Sequence, residues 1–88
     1  MIQEIIKTLD DISANKDNKP LHVLGGYIVG TTIVREDIDE LYEEYPYLEV
    51  IADLGADLET LEGDEYAIPV FNQFQNALKH FKETLPNK

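Results

Sequence analysis

Leu21-His22-Val23-Leu24-Gly25-Gly26-Tyr27-Ile28-Val29-Gly30-Thr31-Thr32-Ile33-Val34 is compatible with two different structures. Its β-branched content and the Gly25-Gly26 pair fit two strands joined by a turn, and each glycine inside a helix costs about 1 kcal/mol relative to alanine. A lone two-stranded hairpin is only marginally stable, however, and no other segment supplies a strand for it to join. The flanking elements therefore select a helix from about Pro20 to Val29 in an all-α bundle. A β-hairpin at about 21–34 within an α+β fold is the alternative. As a helix, the segment sets Gly26 and Gly30 on one face, where absent side chains let a neighbouring helix approach. Gly30 equally suits the left-handed residue that ends a helix.

Upstream, Ile2, Ile5, Ile6, Leu9 and Ile12 recur at the three-and-four spacing of one helical face, with Gln3, Glu4, Lys7, Asp10 and Asp11 opposite. That helix is expected to end within Asn15–Lys19, with Pro20 opening the next element. Downstream, Ile38, Leu41, Tyr42 and Tyr45 form a second stripe, on a helix starting near Val34 with Glu36, Asp37 and Asp39 in its first turn. Pro46 interrupts it. A further helix carries Tyr47, Ile51, Leu54, Leu58 and Leu61, with Gly55 as a close-packing position and Gly63 as its end. The last helix begins near Ile68-Pro69, sets Phe71, Phe74, Leu78, Phe81 and Leu85 along one face, and stops before Pro86. The spacing thus predicts one small domain over residues 1–88, a bundle of four to five short helices.

Eighty-eight residues leave no room for a second domain, and the chain has no cysteine, which removes disulfides, thiolate metal sites and cysteine nucleophiles together. Eighteen acids face seven basic residues, for a net charge of −11. The charge is unevenly placed: residues 1–34 sum to −1, residues 35–65 to −12 and residues 66–88 to +2. Phosphate backbones are bound by clustered Lys and Arg, so a segment of −12 argues against direct nucleic-acid binding and against anionic membrane surfaces. It favours a basic protein partner, alongside plain solubility. No apolar run approaches the ~20 residues that span a bilayer, and the N-terminus lacks a leader's basic start, so a cytoplasmic location is expected.

Candidate chemistry is sparse. Ser13 lies near a helix end without a glycine turn or a histidine nearby in sequence, which disfavours serine hydrolase chemistry. His22 and His80 belong to no metal-binding spacing; His80 reads as an exposed helix-end residue and His22 as hydrogen-bonded structure. Carboxylates are too numerous for any pair to be singled out as an acid/base site. The string from Asp53 to Glu62 lacks the alternating oxygen ligands of an EF-hand. No catalytic, metal or cofactor-binding residue is expected, and the chain reads as a non-enzyme. Asp53-Leu54-Gly55-Ala56-Asp57 resembles the sequence just before the modified serine of acyl carrier proteins. Leu58 stands where that family's serine would be, so the resemblance implies no prosthetic group.

The richest constellation is Leu41-Tyr42-Glu43-Glu44-Tyr45-Pro46-Tyr47, three tyrosines and two glutamates at a helix junction. Tyr45 and Tyr47 fall on apolar stripes and are expected to face the core. Tyrosine is also a common interface anchor, and surrounding carboxylates steer cationic partners. Glu36, Asp39, Glu40, Tyr42, Glu43, Glu44, Tyr45 and Tyr47 are therefore the candidate partner-binding residues. In composition this surface resembles the small acidic helical immunity proteins that block nuclease toxins, which implies an inhibitor-like binder of a basic partner. The expected function is a non-enzymatic protein–protein interaction module. The alternative is a structural subunit that self-associates into a homo-oligomer through the Gly26/Gly30 face or exposed apolar edges.

Overall fold

In a computed structural model that describes residues 2–61 and 63–85, the chain forms five helices with no strand among the described residues. These are α1 (Ile2–Ala14), α2 (Leu21–Thr32), α3 (Ile38–Glu44), α4 (Pro46–Thr60) and α5 (Asp64–Thr84). Pro86, expected just past the last helix, and Glu62 lie outside the described residues.

The segment over 21–34 is a helix, and it runs through Gly30 to Thr32 rather than stopping at Val29. Gly30 is not left-handed; among the described residues positive φ occurs only at Gly63. Leu21, Leu24 and Ile28 are buried at intervals of three and four, and Gly25 falls on the same stripe, four residues after Leu21. This stripe packs on α4, the most extensive helix pairing in the molecule. The crossing is tight because both helices lack side chains there. A Cβ on Gly25 would lie 2.6 Å from the Glu59 backbone nitrogen, and one on Gly55 only 2.7 Å from Cβ of Ile28. The expected role of Gly55 therefore holds, whereas the close approach assigned to Gly26 and Gly30 belongs to Gly25. A Cβ on Gly26 would meet only a Glu59 side-chain oxygen at 3.4 Å, and one on Gly30 nothing within 4 Å.

The third helix starts at Ile38, four residues later than the stripe suggested. Residues 33–37 are instead a turn, in which the Arg35 N–H donates to the Ile33 carbonyl at 2.9 Å and Arg35 Nε to Asp37 Oδ1 at 3.1 Å. Tyr45 closes α3, its N–H reaching the Leu41 carbonyl at 2.7 Å. Pro46 then opens α4 at a position whose N–H would have had no helical partner. The buried stripe of α4 runs through Leu48, Ile51, Ala52, Gly55 and Leu58, so the position expected of Tyr47 is taken by Leu48. Tyr47 is turned outward.

Gly63 does not end α4, which stops at Thr60 with Leu61 extended; it is the N-cap of α5, at φ +93°, where a side chain would be strained. The last helix consequently begins four residues before Ile68. Pro69 lies inside it, and its missing N–H leaves the Glu65 carbonyl without a helical donor at a solvent-exposed residue. Phe71, Phe74 and Phe81 of α5 are the largest side chains of one buried cluster that includes residues from all five helices.

Candidate functional site

Glu36, Asp39, Glu40, Glu43 and Glu44 are all exposed, and among the described residues none is in an ion pair. Acid in the first turn of α3 suits the positive end of its dipole, which Asp39 and Glu40 occupy. No basic residue stands in its last turn. The turn leading into α3 exposes apolar surface: Val34 is 72% exposed beside Ile33. Arg35 engages Asp37 there, and that hydrogen bond is the main reason the Asp37 carboxyl is held below its ordinary 3.8.

The three tyrosines have different surroundings. Tyr42 is half-buried, and its hydroxyl donates to the Thr32 carbonyl at 2.7 Å, satisfying one of the orphan acceptors at the end of α2. Tyr45 is also half-buried, its ring meeting that of Phe81 edge-on, with centroids 6.0 Å apart at 81°. Tyr47 is 37% exposed and stacks on His80 at 6.2 Å, the rings 16° from parallel. The carboxylates thus form an open face, Tyr42 braces it from below, and Tyr45 and Tyr47 stand at its end beside α5.

Burial raises the Tyr42 phenol above its ordinary 10.0, and the negative charges of Asp53, Glu49 and Asp39 add to the rise. Two of those three belong to α4. Glu49, Asp53 and Asp57 are exposed at intervals of four along its outer side, which widens the acidic face beyond the residues singled out from sequence. The signal was present: with Leu48, Ile51, Gly55 and Leu58 inward, positions 49, 53 and 57 must point out. The uncovered Val34 had no such signal, because it depends on where α3 begins.

His80 is exposed and 3.7 Å from Glu83. His22 is exposed, beside a shallow depression that Glu59 also lines. Ser13 Oγ accepts a hydrogen bond from Gln75 Nε2 at 3.1 Å. Among the described residues, no three His, Asp or Glu side chains cluster so as to hold a metal ion, and no helix is long and apolar enough to cross a membrane. No family model, curated protein or solved structure matches the chain. What the arrangement offers chemically is a broad anionic field with apolar and aromatic edges, suited to attracting and docking a cationic surface.

Proposed function

We propose that this protein is a non-enzymatic interaction module that binds a basic partner protein through the acidic face of α3 and the outer side of α4. The observation that carries the reading is that five carboxylates of residues 36–44 are exposed with no ion pair among the described residues, with Glu49 and Asp53 of α4 joining them around Tyr42. Tyr47 and Val34 give that face apolar contact area at its two ends. A protein that itself handles nucleic acid has the complementary surface, since it must present clustered Lys and Arg to phosphates. Binding there would block that surface, which is the inhibitor-like role.

The test is co-purification of the partner from the host with the intact protein and with a Glu40→Gln, Glu43→Gln, Glu44→Gln variant, at low and high salt. Retention by the intact chain, and loss both in the variant and at high salt, is the expected result. Undiminished retention by the variant, or indifference to salt, refutes the reading.

A second reading is self-association, supported by the uncovered side of α2. Gly26, Tyr27 and Gly30 line an open groove of about 380 Å³ against α1, and Tyr27 is 48% exposed. A monomer at every concentration in sedimentation equilibrium removes this reading.

A further inference from the structure

At the junction of α3, α4 and the end of α5 lies a cavity of about 450 Å³, lined by Glu44, Tyr45, Tyr47, Phe81, Thr84 and Leu85. Its volume falls within the roughly 300–1,000 Å³ typical of ligand pockets. Packing orients its rings: Tyr45 is set edge-on to Phe81, and Tyr47 stands nearly parallel to His80 with centroids 6.2 Å apart. Three features give the cavity a negative character. Glu44 brings an exposed carboxylate with no ion pair among the described residues. Phe81, Thr84 and Leu85 belong to the C-terminal end of the 21-residue α5, the negative pole of its dipole. The faces of the tyrosine and phenylalanine rings are themselves electron-rich. Of the basic residues near it on α5, Lys82 is drawn off to Asp10 of α1 at 2.9 Å and His80 stands 3.7 Å from Glu83, and no basic side chain lines the cavity among the described residues.

Flat aromatic walls, one carboxylate and a helix C-terminus are complementary to a planar, weakly hydrated cation. The arginine guanidinium has that form; the lysine ammonium is a compact and strongly hydrated charge that gains less from ring faces. Resting on the reading of the chain as a binder of a basic partner, we infer that this cavity receives an arginine side chain of that partner. Its guanidinium stacks on the tyrosine rings, and Glu44 accepts its N–H groups. The acidic face of α3 and α4 attracts the partner, and this pocket fixes its register.

Two peptides of equal charge, tetra-arginine and tetra-lysine, are titrated into the full chain while ring and amide resonances are followed. The arginine peptide is expected to bind tighter by roughly threefold to tenfold and to shift the ring signals of Tyr45, Tyr47 and Phe81. Tyr47→Ala, which leaves every charge in place at a partly exposed position, is expected to bring the two affinities together; Glu44→Gln does so with the rings intact. Equal affinities in the unaltered protein, or shifts confined to residues 36–43, overturn the inference. Its failure is separable from that of the function. A native partner that is lost on neutralising Glu40, Glu43 and Glu44 but indifferent to Tyr47→Ala leaves the acidic face standing and removes the pocket. Arginine-selective ring shifts in a protein whose partner is retained by a Glu40→Gln, Glu43→Gln variant that keeps the Glu44 carboxylate do the reverse.

Discussion

Glycine-to-alanine substitution should have opposite consequences at two positions five residues apart in α2. At Gly30 an added methyl meets nothing within 4 Å and the backbone is helical, so Gly30→Ala should stabilise by about 0.4–1 kcal/mol through helix propensity and a less disordered unfolded state. At Gly25 the same methyl would press on the backbone of Leu58 and Glu59, which cannot rotate away. Gly25→Ala should destabilise by about 1–3 kcal/mol or more as the helices part. Urea midpoints at a constant denaturant slope read both, and equal effects at the two sites would contradict the packing described. Gly55 differs again, because its neighbour is the side chain of Ile28. Gly55→Ala combined with Ile28→Ala should cost less than the two changes summed, by about 0.5–3 kcal/mol in a double-mutant cycle. The sequence made Gly55 legible, since it interrupts a regular apolar stripe. It mis-assigned the partner glycine by one position: Gly25 and Gly26 both lack a side chain that would report its direction, and 100° of rotation separates the two choices. Counting from Leu21 and Ile28, which are four before and three after Gly25, selects the inward glycine.

Among the elements, α3 has the least to hold it, being seven residues long with Leu41 as its buried side chain. Its connection to α2 is the Tyr42 hydroxyl on the Thr32 carbonyl, and Thr32 is itself buried, with its hydroxyl donating to Ile28 O at 2.7 Å. Tyr42→Phe leaves that carbonyl without its donor and should cost about 1 kcal/mol at neutral pH. The same contact predicts an alkaline limit. The Tyr42 phenol is raised in the folded state, so its contribution is complete below the ordinary value of 10.0 and is lost as pH rises through the higher folded value. The stability gap between the natural chain and Tyr42→Phe should therefore narrow above pH 10; a gap that stays constant in urea titrations through that range would show the phenol is not so placed. Helix identity was readable from three-and-four spacing in α1, α3, α4 and α5, and in α2 only from the helical company it keeps, whereas the boundaries of α2, α3, α4 and α5 were not. Ile38 continues backwards into Val34 as an apolar pattern, yet the Arg35–Asp37 contact holds that stretch in a turn. Gly63 was legible as a break, but which helix owned it depended on the stretch from Asp64 to Ala67 being helical ahead of Pro69, against the usual weight of a proline.

For the molecule as a whole, the −12 carried by residues 35–65 on a body of 37 × 24 × 17 Å is a source of self-repulsion, and it identifies where stability and binding should diverge. Glu43 sits in the last turn of α3, at the negative end of the dipole and four residues after Asp39. Both relations are unfavourable, by about 0.3–1 kcal/mol for the dipole and 0.2–0.5 kcal/mol for the like-charged pair. Glu44 shares both disadvantages, standing four residues after Glu40, but it lies two residues before α4, whose positive end offsets them. Glu43→Gln should accordingly raise the unfolding free energy by about 0.5–1.5 kcal/mol, and Glu44→Gln should change it less. Added salt should stabilise the natural chain and close the difference between it and Glu43→Gln, because these are exposed charges. A residue that lowers stability without relieving any local strain is explained if a partner uses it. Were the charge there for solubility alone, Glu43→Gln would be more stable with nothing lost. If the acidic face docks a basic protein, the same substitution should gain in thermal midpoint while weakening partner binding at low salt. Melting curves and affinity measured on one preparation distinguish these outcomes, and a variant that gains stability with its affinity intact would leave the surface without the role assigned to it.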